Sequence, residues 1–339
     1  MKRGNSKKEK IVSDKKLLVL SLGLITIIVL GFLVYKTFFQ TAEINFSLKA
    51  AIIDQLAEHF PNPEFNETVT NLLRDAGFNV SYYGYKTVTV GFYRELVKRD
   101  YGIIILRAHS ALREDNKTVD LFTSEEYDAT KYSWERKNGL LTKGNYTREL
   151  ESEGKFYFAI TPKFIENYGY FPKSVVVAMG CWSLKPGCEE MANAFINRGA
   201  KAYVGWTNIV LHEDTDQETV RLLEMLLKKN RTLAYAIDKT DYYIYHGDGE
   251  TIITQMKFYP QSAGDLRISE LIAEAKASST TTTATFNDLG GSLFFLIAKT
   301  FKSFKSKDFF LMNLVDSSIH CNVLKPLHRA DCASCLLKN

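Results

Sequence analysis

Two runs constrain the fold of this chain more than anything else in it. Gly102-Ile103-Ile104-Ile105-Leu106-Arg107-Ala108-His109 closes on a histidine, and Ser174-Val175-Val176-Val177-Ala178-Met179-Gly180-Cys181 closes on a cysteine. Apolar, β-branched runs without alternation mark strands covered on both faces, which sit centrally in parallel sheets. Around them, residues 50–53, 79–83, 201–206 and 252–259 read as further strands, and residues 65–76, 90–98, 189–198 and 216–229 carry helical periodicity. The alternation predicts an α/β domain over residues 44–265, three layers deep, built on a mainly parallel six-stranded sheet. Residues 111–171 form a polar insertion with strand-like pieces at 121–123 and 156–161.

In open α/β sheets, ligands gather outside the carboxyl ends of the strands, where His109 and Cys181 both fall. A thiol needs a base to become the reactive thiolate, and imidazole is the side chain suited to that near neutral pH. Taken singly, a strand-end histidine is a loop residue and a strand-end cysteine a small buried hydrophobe. Their matched placement is what points to nucleophilic chemistry. His246, in Tyr245-His246-Gly247-Asp248-Gly249, is a rival base, but Gly, Asp and His together are also ordinary turn residues.

The order strand-His, insertion, strand-Cys resembles the caspase-hemoglobinase family, which includes caspases, legumain, clostripain and gingipain. The resemblance covers residues 50–260 and rests on Ala108-His109-Ser110 and Met179-Gly180-Cys181, with Ala200-Lys201-Ala202-Tyr203-Val204-Gly205-Trp206 after the helix that follows the cysteine. It implies a caspase-like fold and a cysteine endopeptidase in which His109 and Cys181 form a dyad. The peptide N–H groups of Ser110 and Cys181 would form the oxyanion hole. Ser110 stands where the family has Gly, and serine keeps the required N–H. The resemblance further implies that Asp54 lines the pocket for the substrate side chain before the scissile bond, which would favour basic residues. Met179, Trp206 and Thr207 are the expected walls, with Asp214 and Asp216 as further candidates, although Asp216 also reads as a helix cap. Basic residues in the insertion, from Arg113 to Arg148, would then be sites of self-cleavage. Two other readings stay open, a silent caspase-like receptor or scaffold, and a Cys-His acyl transferase or amidase.

Before the domain, residues 17–35 form an uncharged run of 19 residues, about the length that spans a bilayer as a helix. Seven Lys and Arg against two acids precede it, so residues 1–16 are expected in the cytoplasm, residues 17–36 as one transmembrane helix, and the domain outside. Sequons at Asn66, Asn79, Asn116, Asn145 and Asn230 agree with that placement. The same basic segment accounts for the net charge of +4, and the remainder at −1 has no basic patch, so no nucleic-acid partner is expected. The partners expected are a protein or peptide substrate and the membrane. Residues 266–339 read as a Ser/Thr-rich linker and a loose tail. His320, Cys321, His328, Cys332 and Cys335 fit no zinc spacing, so no metal or other cofactor is expected, and Cys188 reads as a packed thiol.

Overall fold

The computed structural model describes residues 46–278, apart from residues 116, 146–153 and 248–249, and five helical positions between residues 25 and 32. Its main body is a seven-stranded mixed sheet in the order β10-β11-β9-β8-β3-β1-β2. Strands β1 (Lys49–Asp54), β2 (Asn79–Gly84), β3 (Ile103–Arg107), β8 (Val175–Ala178) and β9 (Ala202–Trp206) are parallel. Strand β11 (Glu250–Tyr259) runs antiparallel to β9, and β10 (Tyr242–Gly247) pairs antiparallel with β11. The two diagnostic apolar runs are the adjacent strands β3 and β8.

Alternate residues along these strands feed two separate cores. Ala50, Ile52, Ile103, Ile105, Val175 and Val177 face one cluster, while Ala51, Ile53, Ile104, Leu106, Val176 and Ala178 face the other. This period of two explains why the runs lack alternation: both faces are dry, and each fully buried Ile, Leu or Val contributes about 1.5–3 kcal/mol. Helices α1 (Pro63–Asp75) and α6 (His212–Leu223) cover the first face, with Phe65, Val69, Leu72, Leu73, Leu222 and Leu223 buried. Helices α2 (Val90–Leu96), α4 (Pro162–Tyr168) and α5 (Glu190–Asn197) cover the second. Helix α1 starts where it does because Asn62 Oδ1 accepts the Phe65 N–H at 3.0 Å and Pro63 follows in the first turn. Helix α7 (Leu233–Asp238) and a helix from residue 268 complete the first face, the latter through Ile268 and Leu271.

The insertion is a second, four-stranded antiparallel sheet in the order β4-β5-β7-β6. It comprises β4 (Ser110–Leu112), β5 (Val119–Glu126), β6 (Leu141–Gly144) and β7 (Tyr157–Ile160), with the short helix α3 (Ser133–Lys137) between β5 and β6.

The predicted fold class is therefore corrected on three points. The principal sheet has seven strands, because β10 joins through a hairpin closed by Gly247 and Glu250 in the segment that reads as turn chemistry, and it is mixed, because β11 runs antiparallel to β9. The second sheet was not expected, since β4 and β6 are only three and four residues long and carry too little period-two pattern to be seen. No helix among the described residues is long and apolar enough to cross a membrane, and most of the predicted anchor at 17–36 lies outside them. The tail from residue 279 also lies outside the described residues, including His320, Cys321, His328, Cys332 and Cys335.

Candidate active site

Parallel register brings the two strand ends that precede the chemical residues to the same level. Leu106 of β3 pairs with Ala178 of β8, and the Met179 N–H donates to the Leu106 carbonyl at 2.9 Å. His109 and Cys181 each follow three residues after that matched pair. Their loops touch. The Ser110 hydroxyl donates to the Cys181 carbonyl at 2.5 Å. A Cβ on Gly180 would lie 2.5 Å from the Ala108 carbonyl oxygen and 2.8 Å from the Ser110 nitrogen, with Ser110 Oγ closer still. Only glycine permits this approach, which is the physical reason for a residue without a side chain before the cysteine.

Ladder parity shows where the Ser110 N–H points. Phe122 donates to the His109 carbonyl and Arg113 to the Thr118 carbonyl, so the odd residues of β4 bond to β5. Ser110 falls between them, and its N–H turns off the outer edge of β4, toward Gly180. On the other loop, Trp182 takes φ = 54°, a left-handed conformation uncommon for a bulky residue. Its N–H is held by the Asn208 carbonyl at 3.0 Å, so the turn after Cys181 is fixed against the loop that follows β9. Ser183 braces the same turn, donating to the Ala178 carbonyl at 3.1 Å while accepting from the Trp206 N–H at 2.9 Å.

The surroundings set both protonation states. The His109 backbone N–H donates to Gln55 Oε1 at 3.0 Å, and the imidazole ring meets Phe60 edge-on at 6.0 Å between centroids. Burial, reinforced by His59, His212 and Arg107, pushes the imidazole down to about 4. The Cys181 sulfur lies between the Val210 N–H at 3.5 Å and the Val210 carbonyl at 3.6 Å. Burial pushes the thiol up, and the Val210 N–H opposes part of that rise. Near neutral pH the site therefore holds a neutral imidazole and a neutral thiol, and the thiol proton is directed at a backbone carbonyl.

The other predicted residues have settled partners. Asp54 is wholly buried and accepts from Arg107 Nη1 at 2.7 Å, from the Tyr82 hydroxyl at 3.0 Å and from Asn66 Nδ2 at 3.0 Å. Met179 lies in the core, its carbonyl accepting from the Thr215 hydroxyl at 3.1 Å. Trp206 is also core, with its indole N–H on Thr215 Oγ1 at 2.8 Å. Thr207 exchanges bonds with Gln255 of β11, so it serves the sheet edge. Asp216 sits inside α6, whose first residue is His212, and is therefore not a cap. Asp214 accepts from the Tyr245 hydroxyl at 2.6 Å. His246 is on β10, where its Nδ1 lies 3.3 Å from Thr251 Oγ1. A cleft of about 530 Å³ lined by Asp54, Asn62, Asn66, Thr70, Arg74 and Tyr82 opens beside β1 and β2, and neither His109 nor Cys181 is on its wall.

Sequence reasoning missed Arg107. Its guanidinium, wholly buried, holds Asp216 through two bonds of 2.8 Å, Asp54 through one, and the Phe60 carbonyl at 2.8 Å. It thus ties the ends of β1 and β3 to α6 directly below the His109 loop. Gln55, Phe60, Val210 and His212 were missed as well, and only the charge closing a buried strand announced itself in the chain. Among the described residues, no group of three or more His, Cys, Asp or Glu side chains is arranged to hold a metal ion. No family model matches the chain, and no curated protein matches it.

Proposed function

We propose that the domain is a cysteine endopeptidase with Cys181 as nucleophile and His109 as base. The observation that supports this reading is the register of β3 and β8, which ends both strands at one level, with His109 and Cys181 each three residues further on and their loops joined by the Ser110 bond to the Cys181 carbonyl beside Gly180. A substrate carbonyl entering there displaces the thiol from Val210. His109 takes the sulfur-bound proton as the thiolate attacks the carbonyl carbon, and the oxyanion accepts from the N–H groups of Ser110 and Cys181. The imidazolium then gives its proton to the leaving amine. Water, deprotonated by the neutral imidazole, hydrolyses the acyl-enzyme and frees the thiol.

A basic preference through Asp54 would require a substrate cation to displace Tyr82 and Asn66 from a carboxylate that Arg107 already neutralises in part. One observation favours the silent-scaffold reading: the resting thiol is hydrogen-bonded to Val210 and not ionised. An extracytoplasmic setting belongs to the proposal too, supported by the basic N-terminus and the sequons, and protection of the domain from added protease in intact cells would refute it.

The test is turnover of peptide libraries by the full chain beside Cys181→Ala and His109→Ala. Loss in both variants is expected. Equal turnover in all three refutes the dyad, a silent wild type under reducing conditions moves the reading to the scaffold, and transfer to added amines in place of water marks the acyl transferase.

A further inference from the structure

We infer that the substrate side chain beside the scissile bond is apolar or aromatic and is received on a ledge formed by Phe60, Leu211 and His212. This rests on the peptidase reading and names its substrate class. The two residues after Val210, whose backbone brackets the Cys181 sulfur, are Leu211 and His212. Leu211 is 50% exposed, a high value for an apolar residue held in a fixed backbone. That backbone is fixed because the Leu211 N–H donates to the Tyr245 hydroxyl at 3.2 Å, and the same hydroxyl donates to Asp214. The His212 ring lies on Phe60 with centroids 4.1 Å apart and planes tilted by 35°. Phe60 in turn meets His109. One aromatic surface therefore runs from the base to the loop that holds the nucleophile.

The buried carboxylates nearest the ledge already have partners within the protein. Asp54 and Asp216 are bound to Arg107, Asp214 to Tyr245, and Glu213 Oε1 lies 3.1 Å from His212 Nε2. Asp54, Asp214 and Asp216 are thus occupied by partners within the protein, and the buried Arg107 acts on His109 as a positive neighbour. Leu or Phe would cover exposed apolar surface on this ledge, whereas Lys or Arg would have to compete with Arg107 and Tyr245 for Asp54, Asp216 and Asp214.

The experiment measures kcat/KM of the full chain on fluorogenic peptides that differ only in the residue before the scissile bond. Phe and Leu are expected to exceed Arg and Lys by roughly tenfold or more, the discrimination an apolar site commonly reaches. Leu211→Ala should lose several-fold on the Phe substrate with the loss in KM, and Leu211→Asp should move the preference toward Arg. A wild type that cleaves after Arg or Lys better than after Phe overturns the inference. Protection of Cys181 from iodoacetamide by peptide aldehydes is read in parallel, because it reports binding without turnover. Stronger protection by a Phe aldehyde than by an Arg aldehyde with no hydrolysis keeps the ledge and refutes the peptidase; equal protection, or none, refutes the ledge.

Discussion

Replacing Arg107 with Met tests the buried charge network under the site. Methionine keeps an unbranched apolar stem but removes four donor contacts, to Asp54, twice to Asp216, and to the Phe60 carbonyl. Two buried carboxylates would then share only neutral donors, Tyr82 and Asn66 on Asp54 and Asn62 on Asp216. Opposite charges 4 Å apart at an effective dielectric of 20 interact by about 4 kcal/mol, and removing one partner of a buried pair costs about 3–5 kcal/mol. Urea unfolding should show a fall of that size at an unchanged slope, and heating a fall in Tm of roughly 10 °C for a domain of this size. Replacing the three charges together, Arg107→Met with Asp54→Leu and Asp216→Leu, should recover more than half of the loss, since no charge then stays buried alone. A loss below about 1 kcal/mol in the single variant, or no recovery in the triple one, refutes the claim that Arg107 is the counter-charge.

The depressed His109 affinity for protons gives a directional pH prediction. Its folded value of about 4 lies below the unfolded value near 6.5, so the unfolded chain binds more protons between them. Stability is complete above pH 6.5, falls by up to about 3 kcal/mol as pH drops toward 4, and should fall less in His109→Gln, as acid titration of unfolding will show. The acid limb of kcat/KM should sit near pH 4, and a limb at 6.5 would mean that the base is a solvated imidazole. Because burial raises the Cys181 thiol, its alkylation by iodoacetamide should keep accelerating beyond pH 9, and a plateau near neutrality would contradict the neutral resting pair. Gly180→Ala should cost about 1–3 kcal/mol and most of the turnover, because the methyl group meets Ala108 and Ser110 backbone atoms. Ser110→Ala should cost about 1 kcal/mol by losing the bond to the Cys181 carbonyl, while keeping the N–H and with it most of the activity; loss of all turnover would assign the hydroxyl a chemical role.

The legible parts of this chain are those where one stretch of residues carries its own environment. Strands β3 and β8 announced themselves because burial on both faces leaves no place for alternation, and α1 because a cap, a proline and an apolar stripe coincide within one segment. Strands β4, β6 and β10 did not, since their pairing energy comes from partners elsewhere and their own residues are short or half exposed. The level of His109 with Cys181 was inferred from two strand ends, yet the bracket around the sulfur comes from Val210, on a loop after the next strand.

Asp54 shows what a local reading leaves out. A carboxylate closing a buried strand reads as a specificity group when that strand is considered alone. Arg107 closes a second buried strand and is just as costly to leave unpaired. Once Ala50 is set opposite Ile103, Asp54 falls opposite Arg107, and a 2.7 Å ion pair follows from parallel register. Both charges were visible; the register that cancels them was not. Asp216, 109 residues further on, then takes the remaining face of the guanidinium from inside a helix. Opposite charges at matching ends of neighbouring strands therefore take a structural reading first, and a ligand has to compete with the partner already in place. For this site the specificity surface has to be sought on the exposed carbon of Leu211 and the stacked rings of Phe60 and His212 that follow it toward the base.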